Sequence, residues 1–191
     1  MDEHYLFMVL LGSKAPARNT EQHDFFFGVA RELRDLVPAM RTFWPEAGKS
    51  LHIDGWRKVT TVDGYQVSVI PKSEARPVAD AKRLFFINLG GYQQGKLEEQ
   101  HYTLLTVQDD RISALSASKR TEFFKTATIA KVKGANAHID EKYGIDVDEI
   151  YRIDELLTLA DKQHFHIRLR ENPDLTPDEI QLGYFQLHKL R

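Results

Sequence analysis

The sequence predicts an α+β fold: two tandem ββαββ-like repeats, with mainly antiparallel sheets and one main helix per repeat. Three observations lead there. Leu6-Phe7-Met8-Val9-Leu10-Leu11-Gly12 returns as Leu84-Phe85-Phe86-Ile87-Asn88-Leu89-Gly90, and Glu21-Gln22-His23 returns as Glu99-Gln100-His101 at the same offset. No gap is needed, and 7 of the 18 positions aligned between 6–23 and 84–101 are identical, so an internal duplication organises the chain. His52-Ile53-Asp54 is echoed by His138-Ile139-Asp140, which gives the second copy eight extra residues. Val62-Asp63-Gly64-Tyr65 places an Asp-Gly turn between alternating runs, the strongest short-range hairpin signal.

The elements follow in order. Tyr5 to Leu11 is a continuous apolar run stopped by Gly12, as suits a strand buried on both faces. Residues 12–20 carry Gly, Pro, Asn and Thr and read as a loop. The apolar residues of Phe25 to Met40 fit a helix, but the matching segment His101 to Val107 is β-branched and aromatic and starts a helix poorly. The expected assignment is therefore a strand over His23 to Val29 and a helix over Arg31 to Trp44. Pro38 then requires a late start or a break, because an interior proline loses a hydrogen bond and clashes.

Leu51 to Val62 and Tyr65 to Ile70 read as paired strands, and Gln66 to Val69 alternates polar with apolar. The first repeat spans 1–71, and the polar, proline-bearing stretch 72–83 is the linker. The second repeat spans 84–170, with strands at 84–89 and 101–108, a helix over Arg111 to Lys125 and a last strand at Phe165 to Leu169. In the tail, 171–191, Thr176-Pro177-Asp178-Glu179 resembles a helix N-cap followed by proline. Leu182, Tyr184 and Leu187 suggest an extended piece that docks on the body.

Composition narrows the function. A net charge of −2 and a pI near 6.4 argue against a broad basic surface for nucleic acid. The absence of cysteine removes thiolate nucleophiles, disulfides and zinc–thiolate sites. The apolar start follows Asp2-Glu3-His4 rather than a basic segment, and no run approaches the roughly 20 apolar residues of a membrane span. A soluble cytoplasmic protein is expected.

The motifs Leu6 to Gly12, Glu21-Gln22-His23-Asp24, Leu51-His52-Ile53-Asp54 with Trp56, and Val62-Asp63-Gly64-Tyr65 together resemble a bacterial family. It is domain-of-unknown-function family fifteen forty-three, found in one or two copies per chain. Leu89-Gly90-Gly91-Tyr92, Glu99-Gln100-His101 and His138-Ile139-Asp140 extend the resemblance to the second copy. It implies a duplicated α+β domain and no particular activity. The second copy departs at Asp24, which becomes Tyr102, and at Trp56, which becomes Lys142 in the His-Ile-Asp register.

The repeated polar residues are the candidate site: Glu21, His23, His52 and Asp54, with Glu99, His101, His138 and Asp140. Glu21 and His23 stand at i and i+2, and so do His52 and Asp54, which puts each pair on one strand face. Carboxylate with imidazole suits a zinc, iron or manganese ion, or a base oriented by an acid. The competing account is structural, since such residues can satisfy buried backbone groups and hold a loop. No His-Glu-x-x-His, G-x-G-x-x-G or Gly-x-Ser-x-Gly motif is present, so no cofactor site is expected and the metal stays open. Phe25-Phe26-Phe27, Trp44 and Trp56 read as core. The expected function is a non-catalytic binding or assembly module, with a small ligand or a second copy as partner and neither nucleic acid nor membrane. The alternative is a small metal-assisted or acid–base enzyme using the repeated Glu-Gln-His and His-Ile-Asp residues.

Overall fold

The computed structural model of the protein describes residues 3–74, 82–92, 97–120 and 145–190. It is a mixed α/β architecture with mostly antiparallel sheets and few helices. The chain divides into two compact units: Met1–Ala79 with Leu156–Arg191, and Asp80–Glu155.

Unit 1 begins with β1 (Tyr5–Ser13) and β2 (Gln22–Ala30), paired antiparallel so that Gly12 faces His23 and Val9 faces Phe26. Strand β3 (His52–Val59) adds to the other side of β1. Its register shifts where Leu10 pairs with Gly55 but Leu11 pairs with Ile53, so Asp54 is the extra residue of a bulge. Phe7, Val9 and Leu11 point to one face and pack with Phe26, Met40, Leu51 and Ile53 in the unit's core. Trp44 and Trp56 pack against that core as half-buried neighbours, and Phe26 and Phe27 are buried.

The first helix is shorter than the sequence suggests. Leu33–Leu36 is a 3₁₀ turn, and the α-helix, α1, runs only over Val37–Phe43. The reason is Pro38, which lies in the first turn of α1, where its missing N–H costs nothing. Pro45 opens a further 3₁₀ segment, Pro45–Ser50, that leads into β3.

Short β4 (Thr61–Val62) and β5 (Tyr65–Pro71) form the hairpin expected at Asp63-Gly64. Both turn residues take positive φ, 51° and 77°, as a two-residue hairpin loop requires. β5 then pairs along its length with β9 (Phe165–Glu171), Val67 facing Leu169 and Val69 facing Ile167. The strand expected to end the second repeat thus completes a sheet of unit 1.

The tail brings a further difference. Thr176 to Glu179 forms no helix. Both Asp178 carboxylate oxygens instead accept the Thr60 N–H at 3.1 Å, and Asp178 also accepts the Thr60 hydroxyl and the Thr61 N–H. A carboxylate used for a contact 118 residues away is not free to support a local helix start. Beyond it, β10 (Gln181–Gln186) pairs with β3 and gives the sheet the order β10-β3-β1-β2.

Unit 2 contains β6 (Arg83–Tyr92), β7 (Glu99–Gln108), α2 (Arg111–Ser118) and β8 (Ile145–Arg152) in a sheet of order β7-β6-β8. Phe85, Ile87, Leu89 and Ala114 form its core. Asp110 caps α2, accepting the Ser113 N–H at 2.7 Å, and that bond holds its carboxyl below the usual carboxylate range. Residues 121–125, which the sequence places in this helix, lie outside the described residues. Two short helices, α3 (Ile153–Leu156) and α4 (Leu159–His164), lead back to β9. Among the described residues, no helix is long and apolar enough to cross a membrane.

Candidate functional site

Gly12 is the floor of the site. It sits at the end of β1, between His23 on β2 and His52 on β3. Leu11 and Ile53 pair on the core face, so Gly12, His23 and His52 face the other way. A Cβ at Gly12 would collide with Asp54 Oδ2 and His52 Nε2. Only a residue without a side chain leaves room for both groups there.

Around this floor the four first-copy candidates meet. His52 is buried, at 3% exposure. Its Nε2 lies 3.0 Å from Glu21 Oε1 and 3.2 Å from Asp54 Oδ1. His23 Nε2 lies 3.0 Å from Asp54 Oδ2. Donor atoms of Glu21, His52 and Asp54 all fall within 4.8 Å of one another. The β3 bulge is what brings Asp54 in, because the added residue bends the strand and re-aims its side chain. Glu21 and His23 are much more open to solvent than His52.

Behind this cluster the polar partners are fixed. His52 Nδ1 lies 2.7 Å from the Ser50 carbonyl oxygen. A carbonyl can only accept, so Nδ1 carries a proton and donates it. The Ser50 hydroxyl donates to the Ala47 carbonyl at 2.8 Å, which leaves Ser13 to donate its own proton to Ser50 Oγ at 2.7 Å. Tyr184 on β10 places its ring 4.4 Å from the His52 ring, centroid to centroid.

On the Nε2 side the bonding is incomplete. Although two carboxylates are near, neither His52 Nε2 nor Asp54 Oδ2 makes a hydrogen bond of acceptable direction, and both atoms are buried. The distances are those of hydrogen bonds, and the directions are not. Geometry of this kind suits atoms that coordinate a third party.

The second-copy candidates are arranged differently. Glu99 and His101 are 4.0 Å apart at their closest charged atoms. His101 Nδ1 instead lies 3.3 Å from Asn88 Nδ2, which donates to Glu149 at 2.9 Å. Asn88 stands where the first copy has Leu10. His138 and Asp140 lie outside the described residues. By strand register the partners of Gly90 and Leu89 are Asp146 and Val147, where Gly12 and Leu11 have His52 and Ile53. The sequence missed Gly12, Ser13, Ser50 and Tyr184 as participants. Gly12 alone left a signal, the glycine that ends both copies of the repeated strand.

No curated protein sequence matches the chain. Among solved structures, a protein Il1583 from Idiomarina loihiensis is similar at 24% identity and a TM-score of 0.64, over 97% of this chain and 98% of that one. That likeness concerns the fold. The stretch that carries Glu21, His23, His52 and Asp54 has a sequence match of its own: residues 18–69 fit the family described as Domain of Unknown Function (DUF1543).

Proposed function

We propose that the chain is a duplicated α+β binding module whose first unit carries the binding site, formed by Glu21, His23, His52 and Asp54 above Gly12. Duplication is supported by the strand orders β3-β1-β2 and β8-β6-β7, each with a helix between its second and third strands. It is supported further by register shifts at matching steps, Leu10/Leu11 and Asn88/Leu89. In this reading the second unit keeps the scaffold and carries Asp146 at the register position of His52. The partner is a small polar or charged ligand, and the protein works in the cytoplasm without nucleic acid.

One observation carries the reading. Buried polar atoms in folded proteins are almost always hydrogen-bonded, yet His52 Nε2 and Asp54 Oδ2 are not. A cluster that served only to hold its loop would satisfy its own members. A second reading, a metal-assisted or acid–base enzyme, is favoured by the approach of an imidazole nitrogen to two carboxylates within 3.2 Å.

Thermal unfolding of ligand-free protein tests the binding reading. Glu21→Gln and His23→Ala are expected to keep the melting temperature within about 4 °C, since exposed ion pairs contribute about 0–1 kcal/mol and 1 kcal/mol corresponds to about 2–4 °C at this length. A fall of about 6 °C or more, as when a buried structural pair is broken at about 3–5 kcal/mol, would make the cluster structural and end the proposal.

A further inference from the structure

We infer that the ligand of this site is a divalent transition-metal ion, coordinated by His52 Nε2, Glu21 and Asp54, with His23 as an adjacent fourth donor. The inference rests on the binding reading above and gives its ligand a chemical class.

Spacing is the first argument. Bonds of about 2.0–2.1 Å from zinc to nitrogen or oxygen put neighbouring donors about 3.0 Å apart around an octahedral ion and about 3.3 Å apart around a tetrahedral one. The separations from His52 Nε2 are 3.0 and 3.2 Å. Hydrogen bonds could produce the same distances, but Nε2 makes none. Distance without the direction of a hydrogen bond is what coordinating groups show when they point at a common centre.

Protonation is the second. The Ser50 carbonyl binds the proton on Nδ1, and this outer hydrogen bond is the usual way a metal-ligating histidine is fixed in its tautomer. The other ring nitrogen, Nε2, is left facing two carboxylates at 3.0 and 3.2 Å, and these are themselves acceptors only. Two carboxylates held this close to one buried nitrogen are stabilised by a cation placed among them. Two carboxylates bring a charge of −2, which a divalent ion cancels.

The donor set names the class. Imidazole nitrogen beside carboxylate oxygen, with no thiolate anywhere in the chain, suits manganese, iron(II) and zinc; magnesium and calcium favour all-oxygen sites, and copper(I) favours sulfur. Rigidity supports the same reading. The Ser13–Ser50 bond and the Tyr184 ring hold His52 from behind and from one side, so this donor stands in place before the ion binds.

The test uses untagged full-length protein stripped with a chelator, dialysed, and titrated calorimetrically with Zn²⁺, Mn²⁺ and Mg²⁺, with elemental analysis of the loaded protein. One Zn²⁺ or Mn²⁺ per chain is expected, with Mg²⁺ binding at least about a hundredfold more weakly. Glu21→Gln and Asp54→Asn preserve side-chain shape and are expected to weaken Zn²⁺ binding by about tenfold or more each. Folded wild-type protein that takes up neither ion at about 100 µM, or Glu21→Gln protein that binds like wild type, would overturn the inference. If uptake fails while ion-free Glu21→Gln melts with the wild type, only the metal is excluded and the binding reading stands. If that variant melts well below the wild type, both fall.

Discussion

Replacing Gly12 with alanine separates the geometry of the site from its chemistry, because every donor atom remains. The added methyl would land on Asp54 Oδ2 and His52 Nε2, so one of them must move. His52 is buried and tied through Nδ1 to Ser50. Asp54 is a bulge residue with its side chain a quarter exposed, so it is the group that gives way. Overpacking of this kind costs about 1–3 kcal/mol, and the freedom of Asp54 places the cost at about 1–2 kcal/mol, a fall of about 2–8 °C in melting temperature. Zn²⁺ affinity is expected to drop by more than about tenfold, since first ligands must be held within about 0.5 Å of working geometry. Gly55→Ala is the control: its Cβ meets the end of the exposed Leu182 side chain at 3.0 Å, which can swing away. Calorimetric titration and differential scanning calorimetry on both variants give the answer. Wild-type affinity in the Gly12 variant, or equal losses in the two, would refute the account of Gly12 as the floor.

Two more outcomes follow from contacts already described. Asp178→Ala leaves the Thr60 and Thr61 N–H groups without their shared acceptor and is expected to cost about 1.5–3 kcal/mol, the range for hydrogen bonds to a charged group. Urea midpoints measure it, limited proteolysis should cut the released segment between 174 and 180, and an unchanged midpoint would show that the tail is held by β10 alone. Asp110 gives a pH dependence of defined sign. Its folded carboxyl titrates below the ordinary range because the Ser113 N–H binds the charged form, so its support for α2 is complete above the unfolded value and disappears as pH falls through the folded one. Amide exchange at Ser113 and Ala114 should speed up several-fold in Asp110→Ala near neutral pH, relative to wild type; a variant indistinguishable from wild type would remove the cap from the argument.

Several features were legible because they are local. The apolar runs of β1 and β6, the Asp63-Gly64 turn and the late start that Pro38 imposes on α1 follow from residue type and spacing. So did the composition of the site in part, because two i, i+2 pairs in a strand must share a face, and the recurrence of Glu-Gln-His in the sequence drew attention to Glu21 and His23. Long-range features were hidden. A β-bulge adds one residue without a sequence signature, so nothing indicated that Asp54 would turn toward His52. Register, rather than a three-residue match, decides which residues correspond, and it places Asp146 and Val147 opposite Gly90 and Leu89. A carboxylate can cap its own helix or someone else's backbone; Thr176 to Glu179 looks like the first, and the structure uses Asp178 for the second. Strand pairing between β5 and β9 spans too much chain to be inferred from patterning.

That last pairing bears on how the protein is made. Unit 1 is discontinuous, with Asp80–Glu155 inserted between its two parts. While the ribosome is still translating that insertion, β1, β2 and β3 are already outside, but β9 and β10 do not yet exist. One side of β3 and one side of β5 are then bare sheet edges, open to pairing with another chain, and Tyr184 has not reached His52. Folding from the N-terminus as synthesis proceeds therefore cannot finish the first unit first. The nascent protein must carry an incomplete first unit through the whole synthesis of the inserted one, and β9 and β10, which complete its sheets, emerge only afterwards.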